Sequence, residues 1–408
     1  MINEIPNWLK TVLLLIFVAL LAGLVYANYQ FTLNSPGGND FLARWMGARY
    51  WLVEGVNPYD SEVSLASQRM IYGRPADPSA GEDVAHFVYP LPAMIFFAPF
   101  GLFSYPLARA LWMTILEINL PILAFLSIAV ARWKPSRWLL GFFILFSIIW
   151  YHGLRAVIVG QFAILEAVLL IGALLAIQRD ADALAGILLG LSIAKPQMAY
   201  LLIPFVLFWA LSVRRWQIIL WTVGTLTVLI GGSIWIMPDW PIRWLQQLVD
   251  YPNYTSLGSP ISITLSILPR GNRTLTLLVS GLLLLYMLWE WFRASGKDLP
   301  WFQWTAAVTL VITNLVSLRT ATTNYVVLLL ALVIAFRAWE DRWPGGRWFT
   351  WIITVTVLIG LWVLFIVTVD DNIEAPIMYL PLPYLSLVVL LWTRWWTVKT
   401  TRMPALSR

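Results

Sequence analysis

The stretch VLLLIFVALLAGLV, residues 12–25, contains no charged side chain and decides the class of the fold. A second uncharged stretch, WLLGFFILFSIIW, occupies residues 138–150. A helix that crosses a bilayer needs about 20 predominantly apolar residues, and runs of this kind recur along the chain. They lack the two-residue alternation of a membrane β-barrel. The sequence therefore predicts an all-α polytopic membrane protein.

The overall composition excludes a soluble globular protein. The 408 residues are 60% hydrophobic and 12% charged, whereas a soluble domain is about 25% charged. Many of the 25 tryptophans, such as Trp8 and Trp133, stand where an apolar run ends, as rings at headgroup depth do. The absence of cysteine excludes disulfides and thiolate catalysis. The net charge of +6 is scattered at helix ends, so it indicates membrane topology and no nucleic-acid partner.

We predict about twelve transmembrane helices from run length and charge. They are Trp8–Tyr26, Leu107–Val130, Trp138–Trp150, Gln161–Ile177, Ala183–Ala194, Met198–Leu211, Trp216–Ile236, Leu275–Phe292, Trp301–Leu318, Tyr325–Phe336, Trp348–Val369 and Met378–Trp396. Several of these segments are short, which predicts tilted, broken or partly re-entrant helices.

The segment Tyr89–Tyr105 decides the topology, because it is apolar but short and carries three prolines. If it spans the membrane, the basic loop at 132–137 falls outside the cell. If it lies in the interface or re-enters the membrane, most basic residues fall on one side of the membrane, and the opposite side holds fewer although its loops are much longer. Positively charged loops mark the cytoplasmic side. This arrangement predicts that both termini are cytoplasmic and that the protein is integral to the plasma membrane.

Under this topology, most of the non-helical chain lies outside the cell. We expect one integral membrane domain over residues 1–408, with a large first extracytoplasmic loop at 27–106 that carries interfacial helices and a second loop at 237–273. Short outer turns are predicted at 151–160, 195–197, 319–324 and 370–376. Because loops on a rigid scaffold usually carry the chemistry, an active site should face outward.

The first outer loop contains the best candidate for a catalytic base. Apolar residues at Phe41, Trp45, Ala48 and Leu52 follow helical spacing, which predicts an amphipathic helix on the membrane surface. Asp40 precedes this helix. Its role could be no more than that of the N-cap of the helix, which aspartate often fills. A carboxylate at the bilayer edge could equally act as a general base.

At these residues the sequence resembles the GT-C glycosyltransferases. The first loop carries Asp40-Phe41 and Gly55-Val56-Asn57-Pro58-Tyr59. Further patches follow in order at 87–92, 160–162 and 185–197. Together they are similar to glycosyltransferase family 87, the polyprenyl-phosphate-mannose-dependent mannosyltransferases. The likeness covers roughly the first half of the chain. It departs from the family at Pro90-Leu91-Pro92, where relatives have a Pro-Pro pair, and at 319–325, where many relatives have a histidine.

The resemblance implies a GT-C-like helical bundle and a transfer of sugar from a polyprenyl-phosphate donor to a lipid or glycan acceptor. Mannose is the implied sugar, and arabinose, glucose and galactose stay open. Metal-dependent GT-C enzymes generally add an acidic motif in a loop comparable to 151–160. This loop has no acidic residue, so we expect no divalent metal and no other cofactor.

Such an enzyme needs a base for the acceptor hydroxyl and cations for the departing lipid phosphate. Asp40 is the predicted base. The candidate phosphate ligands are Lys195, Arg319, Arg155 and Arg44. Lys195 lies between two apolar runs and precedes Pro196, which predicts a broken helix; the alternative for Lys195 is a lysine that snorkels to the interface. Arg155 could equally be a headgroup anchor.

Further polar residues are expected in the substrate cavity. They are Tyr89, His86, Gln161, Gln197, Glu166 and Asn324. For His86, a role as a surface or hydrogen-bonded residue is favoured over a role as a ligand. Carboxylates inside spanning segments are costly and therefore functional candidates; Glu166 and Glu117 are of this kind, and a paired group in the bundle interior is their alternative role.

Two other functions fit a polytopic chain. A transporter should show internal repeats with paired broken helices, and we find none. A membrane assembly subunit that retains the fold without the chemistry is also open. Asp40 separates these possibilities, because only a glycosyltransferase should fail to tolerate Asp40→Asn.

The topology can be tested by accessibility labelling. A cysteine introduced at Gly81 should react with a membrane-impermeant reagent in intact cells, because the loop at 69–83 is predicted to be extracytoplasmic. A cysteine placed at Lys10 is the matched cytoplasmic control and should stay unlabelled. Cytoplasmic labelling at Gly81 would overturn the predicted side of the site.

Overall fold

Helix α1 (Asn7–Asn34) contains the uncharged stretch at 12–25. Its 28 residues rise about 42 Å at 1.5 Å per residue. None of the residues in its most apolar stretch is buried inside the protein, as a lipid-facing helix requires. Only Asn28 and Thr32 are buried. Asn28 Nδ2 donates hydrogen bonds to Thr114 Oγ1 (3.0 Å) and Glu117 Oε2 (2.7 Å). Glu117 is therefore a hydrogen-bonded residue between helices, as its alternative role predicts.

The computed structural model describes residues 6–35, 37–254, 258–268, 272–317, 320–370 and 374–398. Within these ranges the chain is helical and contains no strand, which confirms the all-α class. Nine helices there are long and apolar enough to cross a membrane. The predicted spans at 161–177, 183–194 and 198–211 form shorter apolar helices instead. The structure thus supports nine of the twelve predicted spans by length.

The chain forms two compact units. The first comprises Met1–Val88, Met94–Ile118 and Val157–Gln161. Its helices are α1, α2 (Asn39–Arg49), α3 (Ser61–Tyr72), α4 (Met94–Gly101) and the beginning of α5 (Tyr105–Ala131). A π-helical turn, Tyr50–Glu54, continues α2. Helix α2 packs against α3 and α4.

The second unit comprises Tyr89–Ala93, Asn119–Ala156 and Phe162–Arg408. Beyond the end of α5, its helices are α6 (Arg137–Ile149), α7 (Tyr151–Val159), α8 (Ala163–Gln178), α9 (Asp182–Leu191), α10 (Pro196–Ala199), α11 (Leu202–Ser212), α12 (Trp216–Ile236), α13 (Trp240–Tyr254), α14 (Pro260–Ile267), α15 (Arg273–Ala294), α16 (Leu299–Val316), α17 (Leu329–Arg342), α18 (Gly346–Thr368) and α19 (Pro381–Val398). The last residues of α7 belong to the first unit. Helices α16 and α17 are almost wholly buried and pack against α19, so they form the core of this unit.

Two predictions about the outer loops are wrong. The chain at 151–159 is helix α7 and not a turn, because this amphipathic stretch continues α6 after a bend at Trp150. Helix α2 exists as predicted, but it lacks the exposed polar face of an amphipathic surface helix. Its residues from Phe41 to Ala48 are all buried, because α3 and α4 cover faces that the spacing of apolar residues alone left open.

The proline-rich segment at 89–105 folds as a 3₁₀ turn, Leu91–Ala93, followed by α4 with Pro99 inside it. The helical part, Leu91–Gly101, is well short of the about 20 residues that cross a bilayer. This length supports the re-entrant or interfacial interpretation on which the predicted topology rests.

The Gly186-x-x-x-Gly190 patch of the resemblance is a helix-packing motif. A Cβ atom at Gly186 would stand 2.6 Å from Trp221 Cβ, and one at Gly190 would stand 2.5 Å from Thr225 Cβ. Small residues at this spacing let two membrane helices approach closely. The close approach of α9 to α12 therefore requires both glycines.

A buried ion pair joins α15 to α19. Arg394 Nε and Nη2 donate to the two carboxylate oxygens of Glu290 at 3.0 and 2.9 Å. The guanidinium also lies within 6 Å of four indole rings, those of Trp289, Trp301, Trp304 and Trp395. A buried charge is tolerated when it is paired in good geometry. Removal of either residue would therefore leave the other charge buried without a partner.

Arg394→Met should lower the free energy of unfolding by about 3–5 kcal/mol, because it leaves the Glu290 carboxylate buried without its partner. The double variant with Glu290→Leu should recover most of this loss. Asp341→Asn, which breaks the exposed pair with Arg337, is the control and should cost about 0–1 kcal/mol. Thermal unfolding in detergent measures all three. A double variant as unstable as Arg394→Met would contradict the pairing.

Candidate active site

In the first unit, Asp40 lies in the first turn of α2 and is not its N-cap. Gly38 holds the cap position, with φ 73°, and no side chain caps the helix. The interpretation of Asp40 as a cap is therefore wrong, since the helix begins at Asn39, two residues earlier than a cap at Asp40 would need. The Asp40 side chain is 37% exposed and Arg44 Nη1 lies 3.9 Å from its Oδ1. Asp40 is thus an accessible carboxylate just before the buried part of the helix, Phe41 to Ala48.

The Gly37-Gly38 turn that precedes Asp40 is fixed by side chains of α5. Tyr105 Oη donates to the Gly37 carbonyl at 2.8 Å, and Arg109 Nη1 donates to the Ser35 carbonyl at 2.7 Å. A Cβ atom at Gly38 would stand 2.5 Å from Arg109 Nε. Both the positive φ and this close approach require glycine.

The neighbour of Asp40 connects it to the Gly160-Gln161 patch. The Phe41 ring stacks on Trp112, with centroids 5.1 Å apart. Trp112 Nε1 donates to the Gly160 carbonyl at 2.9 Å, and a Cβ atom at Gly160 would stand 2.5 Å from Phe41 Cβ. Gln161 is buried beside it. The contact between Phe41 and Gly160 therefore fixes the chain next to two predicted site residues, Asp40 and Gln161.

Asp83 is a second carboxylate near Asp40 that the sequence analysis missed. Desolvation raises the pKa of the Asp83 carboxyl, and the negative charge of Asp40 raises it further. The hydrogen bond from the Ala85 N–H and the charges of Arg44 and His86 lower this pKa. Asp83 Oδ1 accepts from the Ala85 N–H at 2.9 Å. Ala85 has a φ of 50°, which turns the chain from Asp83 towards His86. Nothing in the sequence spacing relates Asp83 to Asp40.

The Asn57-Pro58-Tyr59 motif is a turn that supports the same unit. Asn57 Oδ1 accepts from the Tyr59 N–H at 3.0 Å, as an asparagine does in a turn of this type. Tyr59 is buried, and its ring lies edge-to-face on Phe87, with centroids 5.5 Å apart. This motif of the resemblance therefore positions the first loop through packing.

In the second unit, Lys195 ends the broken helix as predicted. Helix α9 passes into a 3₁₀ turn, Ser192–Ala194, and Pro196 then begins α10. Lys195 is only 1% exposed, so the snorkelling alternative is wrong: the short α9 stops inside the protein. Its charge interacts with that of Glu166, which is fully buried on α8. Lys195 and Glu166 are therefore neighbours in the second unit.

Tyr89 belongs to the surroundings of Lys195. Its ring lies edge-to-face against Phe162, just before α8, with centroids 6.1 Å apart. The 3₁₀ turn Leu91–Ala93 contacts the turn Ser192–Ala194 immediately before Lys195. Gln197 is exposed on α10. The second unit thus contains the predicted site residues Tyr89, Glu166, Lys195 and Gln197.

Arg155 contacts a carboxylate that the sequence analysis did not single out. Its Nε lies 3.8 Å from Glu374 Oε2. Glu374 also accepts hydrogen bonds from Tyr151 Oη at 2.6 Å and from Thr322 Oγ1 at 2.7 and 2.8 Å. These donors come from the predicted outer turns at 151–160 and 319–324. Tyr151 and Glu374 are 223 residues apart in the sequence, so no local pattern could reveal this cluster.

Of the two site residues predicted in the late outer turn at 319–324, the structure describes one, Asn324. Asn324 is buried, and its Nδ2 donates to Thr320 Oγ1 at 3.1 Å. Arg319 lies outside the described residues. Among the residues that are described, no group of three His, Asp or Glu side chains is placed to hold a metal ion.

Two adjacent threonines test the Glu374 cluster. Thr322→Val should lower the free energy of unfolding by about 2 kcal/mol, because it removes a hydrogen bond to a charged group. Thr323 is equally buried, and its hydroxyl has no hydrogen-bond partner in the described parts of the chain. Thr323→Val is therefore the matched control and should be neutral or stabilising. Thermal unfolding compares them, and equal effects would contradict the assigned role of Thr322.

The comparisons with known proteins bear on residues 87–264, which match the model of glycosyltransferase family 87. No curated protein and no solved structure matches the chain. The matched range contains the patches at 87–92, 160–162 and 185–197, whereas Asp40 precedes it. Together with the helical fold and its long apolar helices, this match over residues 87–264 confirms the resemblance to a GT-C-like membrane glycosyltransferase of family 87.

Proposed function

We propose that the protein transfers a sugar from a polyprenyl-phosphate donor to a hydroxyl of a lipid or glycan acceptor at the extracytoplasmic face of the plasma membrane. The family match carries this proposal. The first-loop motif around Asp40 adds a base of the kind that the reaction needs. Mannose is the sugar that the family resemblance implies.

In the proposed reaction, the acceptor oxygen attacks the anomeric carbon of the donor sugar. The bond from that carbon to the phosphate oxygen breaks, and the polyprenyl phosphate leaves with the electron pair. Asp40 takes the proton of the acceptor hydroxyl. A single displacement with one base and no covalent carboxylate intermediate inverts the anomeric configuration.

Asp40 is a better candidate for the base than its neighbour Asp83. The Asp40 side chain is accessible beside a rigid helix start. Asp83 already uses one carboxylate oxygen to accept the Ala85 N–H, which holds it in its own turn. Asp83 is better suited to tune the field around Asp40, since their charges interact.

The departing phosphate needs cations, for which we propose Lys195, Arg319, Arg155 and Arg44. Three of them lie near a carboxylate: Lys195 near Glu166, Arg155 near Glu374, and Arg44 near Asp40. A bound phosphate would compete with these carboxylates for the cations. The carboxylates would then keep the cations in place between turnovers, when no phosphate is bound.

We further propose that the transfer needs no divalent metal. The cations above would supply the positive charge that a metal ion supplies in metal-dependent enzymes. Arg44, at 3.9 Å from Asp40, would also keep a positive charge beside the base.

Asp40→Asn should reduce the turnover rate by about 10²–10⁴-fold, because the amide cannot accept the proton of the acceptor. Asp239→Asn is the matched control: Asp239 also pairs with an arginine four residues later, Arg243, outside the proposed site. The assay follows a radiolabelled polyprenyl-phospho-sugar in membranes that contain the full chain, with and without EDTA.

Full activity of Asp40→Asn would remove Asp40 from the role of base. If Asp83→Asn caused the larger loss instead, the base would be Asp83. Activity that EDTA abolishes, and that added manganese or magnesium restores, would contradict metal independence. Transfer of a sugar other than mannose would change the donor and leave the role of Asp40 intact.

A further inference from the structure

An open cavity of about 700 Å³ lies at the ends of α5 and α8 in the second unit. Its apolar wall includes Ile122, Phe125, Leu126 and Leu175. Phe125 is 51% exposed, so the wall is open to an apolar occupant. The volume is in the range of sites that bind small molecules, about 300–1,000 Å³.

Three cations line the same cavity: Arg132, Lys134 and Arg179. All three are exposed. The described residues that line the cavity include no aspartate or glutamate. Asp180, which follows Arg179 in the sequence, pairs with Arg215 at 3.1 Å. The rim is therefore strongly positive beside an apolar wall.

The backbone at Arg132 offers a way to remove a cation without harming the fold. Arg132 has a φ of 54° at the end of α5. Its N–H donates to the Ala129 carbonyl, and the next N–H, of Trp133, donates to the Ile128 carbonyl. Glycine is the usual residue at this position of a helix end, because the left-handed conformation strains other residues. A glycine at 132 should therefore be tolerated.

Arg214 repeats this geometry at the end of α11. Its φ is 61°, and the N–H groups of Arg214 and Arg215 donate to the Leu211 and Ala210 carbonyls. Arg214 is exposed but does not line the cavity. The same substitution at 214 thus relieves the same strain and removes the same charge elsewhere.

We propose that this cavity binds one anionic phospholipid, with its phosphate at the three cations and an acyl chain along the apolar wall. The argument is complementarity: a phosphate joined to a hydrocarbon chain matches a cationic rim joined to an apolar wall. Basic pockets between membrane helices on the cytoplasmic side suit anionic headgroups. The predicted topology puts this rim on the cytoplasmic side, away from the proposed chemistry, which favours a resident phospholipid over the polyprenyl donor.

The test uses the full-length protein in bilayers with a photoactivatable phosphatidylglycerol, and a phosphatidylcholine that carries the same photoactivatable chain. Peptide mapping should find phosphatidylglycerol preferentially on the segments 122–134 and 175–179. Removing one cation near a lipid surface should weaken binding about fivefold. Arg132→Gly, Lys134→Gln and Arg179→Gln should each reduce labelling by about that factor, whereas Arg214→Gly should leave it unchanged.

Both glycine variants should be at least as stable as the parent protein, so loss of labelling in Arg132→Gly alone cannot be assigned to misfolding. Equal labelling by the two lipids, or equal labelling of the two glycine variants, would overturn the proposal in favour of ordinary lipid solvation. Displacement by inorganic phosphate would point to a free phosphate. Stronger competition by polyprenyl phosphate than by phosphatidylglycerol would assign the cavity to the donor lipid. Either result would contradict a resident phospholipid.

Discussion

The backbone of a chain in a bilayer must satisfy its own hydrogen bonds, and this constraint governs the rest of the structure. Long helices such as α1 and α18 meet it by themselves. Where a helix is interrupted, the freed N–H and C=O groups must be enclosed by protein or line a cavity. The candidate residues are found at such interruptions: Lys195 follows a 3₁₀ turn, Asn324 lies in another, and Gln161 follows the left-handed Gly160.

Buried charge is the second cost, and the protein limits it by pairing. Glu290 and Arg394 satisfy each other, and indole rings surround the guanidinium. Glu117 accepts a hydrogen bond from Asn28, and the charges of Lys195 and Glu166 are neighbours. A lone charge at these positions would be strongly destabilising. Carboxylates therefore accompany three of the proposed phosphate-binding cations when no ligand is bound: Lys195, Arg155 and Arg44.

Hydropathy predicted the fold class and most of the long helices, because the requirement for about 20 apolar residues is local. It could not predict that 151–159 continues a helix, since the bend at Trp150 looks like the end of a span. It also misjudged the surroundings of α2, which depend on α3 and α4. The spacing of apolar residues describes a single helix, whereas the burial of that helix also depends on segments that are distant in the sequence.

For the candidate site, sequence reasoning found residues whose local context is unusual. Lys195 stands out between apolar runs before a proline, and its position at a broken helix is confirmed. Asp83 and Glu374 stand in ordinary polar turns, so only the folded chain reveals the charges and hydroxyls around them. The reason is physical. A charged residue in an apolar run can be recognised from the sequence around it, whereas a contact between distant turns appears only in the folded chain.

The start of α2 illustrates how a rigid scaffold can present one reactive group. Phe41 is fully buried between Trp112 and Gly160, and Arg109 and Tyr105 fix the backbone before it. Asp40, next to the exposed Asn39, keeps an accessible carboxylate in this segment. A site that must hold a base within a fraction of an ångström is best supported by packing that locks its neighbours. The glycines at 38 and 160 serve this purpose, because a side chain at either position would displace the helix start.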